Sequence, residues 1–214
     1  MQKLVFLLVS LISAPLVNGQ VISEFSFDIS IGIEATIAPD SQPDNAVVSD
    51  FSRGSGINSV FGSGTFPGNS WTLASTLDPN DYFSVTLSPN SGFSLDLTSI
   101  VFDERRSGTG IREWSLFSSA DNFATGITSV SVPDNTDTRT QNTVNLGSSF
   151  TGLTDTTEFR WYGFSAESGV GTWRLDNVVL NGSITAVPEP STYALATAVV
   201  LIGFGIVRRK CRHR

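Results

Sequence analysis

Along most of this chain, apolar residues recur two apart in short runs separated by Gly, Pro, Asn and Ser. Phe83, Val85 and Leu87 make one such run, Phe93, Leu95 and Leu97 another, and Phe159 and Trp161 a third. A period of two puts alternate side chains on one face and marks a strand with one buried side. The longest alternation sets Phe25, Phe27, Ile29, Ile31 and Ile33 against Ser26, Asp28, Ser30, Gly32 and Glu34, and predicts a first strand bending at Gly32. Further strands are predicted over 47–51, 57–61, 71–77, 83–87, 93–102, 114–118, 127–132, 143–146, 159–164 and 173–180. Turn signals punctuate them, no helical stripe interrupts them, and fifteen Phe supply β-favouring bulk. This spacing predicts an all-β, jelly-roll-like β-sandwich whose first and last strands are neighbours, so that its ends lie close together.

The two ends of the chain are built differently. Residues 1–19 carry one charge, Lys3, then an apolar run over 4–12 and small residues at Val17 and Gly19. That is the build of a secretory signal peptide, predicted to be removed to leave Gln20 first. The exported domain is then 20–186. After it come Val187, Pro188, Glu189 and Pro190, seventeen uncharged residues over 191–207, and a basic end over 208–214. Seventeen residues is the short end of what spans a bilayer as a helix. Arg208, Arg209 and Lys210 beside it predict a cytoplasmic C-terminus and an exported N-terminal side. The two prolines flanking Glu189 fix φ and keep the step extended.

Pro-Glu-Pro, a short apolar helix and a basic end, in that order, resemble the PEP-CTERM sorting signal of bacterial exported proteins. The same tail also carries the label of an ice-binding protein C-terminal domain, which implies nothing about ice. The resemblance implies recognition by an exosortase, a membrane-embedded transpeptidase-like enzyme that cuts near Pro-Glu-Pro. It implies a precursor in the inner membrane and a mature domain in the periplasm, on the cell surface or in the extracellular matrix. The alternative is a stiff spacer before a permanent anchor.

Composition excludes much chemistry. Residues 20–186 hold seven Arg and no Lys against nineteen Asp plus Glu, a net of −12 that repels nucleic acid. The only cysteine, Cys211, and the only histidine, His213, lie in the basic end. The exported domain therefore has no disulfide, no Ser-His-Asp or Cys-His site, no Schiff-base lysine and no His or Cys ligand for zinc.

The last predicted strand, Leu175-Asp-Asn-Val178, resembles the closing strand of extracellular sandwich modules, among them carbohydrate-binding jelly rolls. That resemblance implies a calcium where last and first strands meet, with Asp176 and either Glu24 or Asp28 as ligands; the alternative is that Asp176 binds backbone groups. Trp71, Trp114, Trp161 and Trp173 are candidate sugar-stacking rings wherever they are exposed, and core residues otherwise. The function expected is that of a non-catalytic surface or matrix protein, with polysaccharide as its candidate ligand. The alternatives are a glycoside hydrolase using a carboxylate pair from Asp103, Glu104 and Glu113, or a purely structural matrix protein.

Overall fold

A computed structural model of the chain describes residues 20–134 and 138–188. The signal peptide over 1–19, Glu189, Pro190, the apolar segment over 191–207 and the basic residues Arg208, Arg209 and Lys210 lie outside the described residues. Among the described residues no helix is long and apolar enough to cross a membrane.

Among the described residues twelve strands form two antiparallel sheets. The first sheet contains β1 (Gln20–Phe25), β12 (Trp173–Ala186), β7 (Phe93–Arg106) and β10 (Thr140–Asn145) in that order, with β5 (Phe66–Gly68) also paired to β12. The second runs β2 (Thr36–Ile37), β4 (Phe51–Arg53), β6 (Tyr82–Pro89), β11 (Thr157–Phe164), β8 (Glu113–Ser118) and β9 (Thr128–Ser131), with β3 (Ala46–Val48) also on β6. From β6 to β8, and again from β10 to β12, the chain changes sheet at each step, which is the jelly-roll habit. As the alternation predicts, Phe83, Val85 and Leu87 of β6 point inward, as do Phe159 and Trp161 of β11. First and last strands pair, with Gln20 opposite Gly182 and Phe25 opposite Val178.

The longest alternation behaves otherwise. The first strand ends at Phe25, and Phe27 turns the chain at φ +54 while its ring stays buried. Ile29 is 97% exposed, and Ile31 and Ile33 also face solvent. A local polar turn overrides the hydrophobic pattern. The Glu34 carboxylate accepts from the Ile31 and Gly32 N–H groups and from Ser30 Oγ, and Gly32 takes φ +90. Arg53 locks the turn by donating to the carbonyls of Gly32, Glu34 and Pro67, with its guanidinium 3.7 Å from the Phe66 ring centre. Burial draws the Arg53 pKa down to about 10.

The segments over 57–61 and 71–77 are not strands either. Asn58 and Asn69 make one isolated bridge, and Leu73 and Leu77 are exposed around a buried Trp71. Conversely, β7 and β12 run to fourteen residues each, longer than their apolar stretches, because polar residues at both ends remain in register with each other.

Candidate functional site

The polar residues singled out by the sequence gather where β7 and β12 lie side by side, and the pleat divides them between two faces. Glu104 faces inward between the sheets and is 3% exposed. Its Oε1 accepts from Trp114 Nε1 at 2.9 Å and Asn142 Nδ2 at 3.1 Å, and its Oε2 from Trp173 Nε1 at 2.7 Å. Both oxygens are filled by donors from β8, β10 and β12. Burial nevertheless pushes the Glu104 pKa up, against the pull of those donors.

On the outer face Asp103 sits directly opposite Asp176. Arg139 closes over the pair, with Nη2 2.6 Å from Asp176 Oδ2 and Nη1 3.6 Å from Asp103 Oδ2. Between Asp176 and Val179 the ladder slips by a bulge, and Asn177 at φ +47 donates its side-chain amide to Asp103 Oδ2 at 3.0 Å. Its backbone N–H donates to Asp176 Oδ1 at 2.9 Å. Burial again pushes the Asp176 pKa up; Arg139 opposes this, while Asp103 and Asp28 add to it.

This geometry sorts the expected sites. Asp176 and Asp28 are close enough to interact, but Glu24 lies opposite Val179, and the cation seated on Asp176 is Arg139. Among the described residues no group of three or more His, Cys, Asp or Glu is arranged to hold a metal ion. The sugar-stacking expectation for the tryptophans is corrected: Trp71, Trp114, Trp161 and Trp173 are at most 1% exposed. They close the core edge-on and stacked, Trp71 against Trp173 at 5.3 Å and Trp114 against Trp173 at 6.4 Å. Of the carboxylates named for the glycosidase alternative, Asp103 and Glu104 point to opposite faces of β7, Glu104 is sealed, and Glu113 begins β8 in the other sheet. Of the nearby arginines, Arg106 and Arg112 pair with Asp134 and Glu167 instead.

Sequence reasoning missed the outer face of the second sheet. Tyr82, Arg160, Tyr162 and Phe117 lie there on β6, β11 and β8, with Arg160 over the Tyr82 and Phe123 rings at 4.5 and 4.1 Å. Arg160 also forks onto Glu158 at 2.7 and 3.0 Å. The polar phases of three strands carried these residues, and only pairing brings them together.

At its last residues β12 pairs, among the described residues, with β7. The described pairing with β1 runs from Val178 to Gly182, opposite Gln20, and the pairing with β7 continues to Ala186 opposite Phe93. One residue further on, Val187 N–H donates to the Gly92 carbonyl at 2.8 Å.

The fold and this end define a two-sheet sandwich that delivers its chain directly from the closing strand into Val187 and Pro188. Residues 186–210 match the family model of the PEP-CTERM protein-sorting motif. The chain thus carries, from the last residue of β12 onward, the signal its tail resembles. No curated protein matches the chain. Among solved structures, a family 29 carbohydrate-binding module mutant is 17% identical with a TM-score of 0.38, covering 77% of this chain and 90% of that one. The K1 cleaved adhesin domain of Lys-gingipain from Porphyromonas gingivalis is 14% identical with a TM-score of 0.38, covering 77% and 98%. A family 35 carbohydrate-binding module from an environmental isolate is 14% identical with a TM-score of 0.36, covering 78% and 98%. At these TM-scores the fold assignment stands on the chain's own two sheets.

Proposed function

We propose that this chain is a non-catalytic exported protein whose β-sandwich is carried to the cell surface or extracellular matrix by its sorting motif. The observation that carries the reading is the match over 186–210, which begins at the last residue of the strand that closes the fold. The placement of the carboxylates supports a passenger rather than an enzyme: inside, Glu104 is engaged by two indoles and an amide, and on the outer face Asp103 and Asp176 are engaged by Arg139 and Asn177. In this reading the precursor sits in the inner membrane through 191–207, with Arg208, Arg209 and Lys210 fixing a cytoplasmic end. An exosortase-type transpeptidase then acts near Pro188, Glu189 and Pro190.

Two variants separate the parts of the signal. An Asp at the centre of a spanning helix costs about 2.5–3.5 kcal/mol of insertion free energy, and so short a segment has little to spare. Val200→Asp is therefore expected to release uncut protein in soluble form. Pro188→Ala with Pro190→Ala is expected to leave protein membrane-held, correctly oriented and uncut. Fractionation and immunoblotting in a host with the sorting enzyme distinguish the two. Normal processing of the double proline variant would reduce the motif to a spacer.

Polysaccharide is the ligand class to test. With every indole internal, the outer face around Tyr82, Phe117 and Arg160 is where a sugar ring would be met. A glycan array probed with residues 20–186 and with Tyr82→Ala, with and without calcium, tests it; binding that Tyr82→Ala leaves unchanged would move the ligand elsewhere.

A further inference from the structure

We propose that the end of β12, Ser183–Ala186, is the segment that peels from the sandwich and enters the sorting enzyme as an extended strand. The folded domain thus presents its signal by giving up the last residues of its own sheet. This inference rests on the sorting reading above.

The first argument is the absence of slack. The last hydrogen bond to the sheet among the described residues, from Val187 N–H to the Gly92 carbonyl, is made one residue before Pro188. The sorting-motif match begins still earlier, at Ala186, which is paired with Phe93. Extended chain advances at most about 3.3–3.6 Å per residue, so the three residues from Pro188 to Pro190 reach roughly 10 Å. That is no more than the spacing of two packed sheets, about 10 Å. A cleft that grips an extended peptide on both sides of the Pro-Glu-Pro step must therefore either take residues out of β12 or collide with the sandwich.

The second argument is that this end is built to yield. From Trp173 to Gly182, β12 contributes Trp173, Leu175, Val178 and Leu180 to the core. Beyond Gly182 the side chains are half-buried at Ser183 and Ile184 and exposed at Thr185 and Ala186. Among the described residues, Ser183–Ala186 pair with β7 alone; Gln20, opposite Gly182, is the residue that removal of the signal peptide is predicted to leave first. The register against β7 also shifts between Asn181 and Gly182, which marks where peeling halts. On this side lies a polar cleft of about 420 Å³, lined by Gln20, Gln42, Asp44, Asn45, Gly182 and Ser183 among others. Ser183 and Ile184 border this cleft directly.

The test is a lock. Leu95 exchanges hydrogen bonds with Leu153 rather than with β12, Phe93 N–H turns to the Asn90 carbonyl, and Val187 N–H meets Gly92. Phe93 and Ala186 are therefore a non-hydrogen-bonded pair, whose Cα atoms approach to about 4.5 Å, within disulfide range. The only native cysteine is Cys211. In the full-length precursor, Phe93→Cys with Ala186→Cys is expected to abolish processing when oxidised and to restore it in a host lacking periplasmic disulfide formation. Each single-cysteine variant is expected to be processed. Inserting a Gly-Ser linker of about six residues between Val187 and Pro188, roughly 20 Å of extended chain, is expected to rescue the oxidised protein. Normal processing of the oxidised, unlinked variant would overturn the inference even with the proline variant still blocked. Failure of the linker to rescue would also overturn it, since reach would then not be what the lock removes. Processing of the Pro188→Ala, Pro190→Ala variant would instead overturn the sorting reading itself.

Discussion

Glu104 shows how the residue types in this domain are used. A carboxylate between two indole N–H groups and an amide accepts everything offered to it. Glutamine has the same shape but sets an NH₂ against one of those donors. Leaving a buried donor unsatisfied costs about 1–3 kcal/mol, so Glu104→Gln is expected to lower stability by that amount in denaturant unfolding. The pH dependence has the opposite origin. Burial holds the Glu104, Asp176 and Asp81 pKa values above their ordinary ones, so the stability they contribute is full below those ordinary values and is lost as pH rises through the folded ones. Glu34, whose pKa its turn lowers, acts the other way and loses its contribution only at more acid pH. The melting temperature of residues 20–186 is therefore expected to rise as pH falls from 7 toward the ordinary carboxylate range of about 4, with a shallower rise in Glu104→Gln. A flat profile in the parent domain would count against this. Calcium belongs to the same scale: a divalent ion at Asp176 has to displace Arg139. We propose that millimolar calcium raises the melting temperature and that Asp176→Ala removes the rise; no rise in the parent domain would dismiss that site.

Among the elements, β12 holds the molecule together and sets its limits. It pairs with β1, β5 and β7, and Gly182 sits opposite Gln20 and at the point where the β7 register shifts. A Cβ at Gly182 would run into the Asp96 carbonyl oxygen. Gly182→Ala is accordingly expected to cost about 1–3 kcal/mol, read as a fall in the unfolding midpoint. Most strands were legible because Phe83, Val85, Leu87 and Trp161 alternate with polar partners. The stretch after Phe25 was misleading for a physical reason: three isoleucines in strand phase lost to a turn in which Glu34 satisfies two N–H groups and Arg53 three carbonyls. Side-chain capping of that kind has no period, so no pattern announces it. Likewise Asp176 stood out in the last strand, but its partner Arg139 comes from the segment before β10, and only the sheet pairing brings them together.

As a whole, the described domain is an acidic sandwich with four indoles and the Glu104 carboxylate between its sheets and its first and last strands paired. The tail was the most legible part because its three components are contiguous; the tryptophans were the least, because a strand residue's face does not say whether another sheet covers it. What joins fold to function is the direct passage from β12 into the sorting motif. The most direct test is to recover the protein from the surface of cells that contain the sorting enzyme and map both ends by intact mass and terminal peptides. The account predicts a chain beginning at Gln20, ending close to Pro188, Glu189 or Pro190, and lacking the segment over 191–214. A surface-displayed chain that still ended at Arg214 would contradict it.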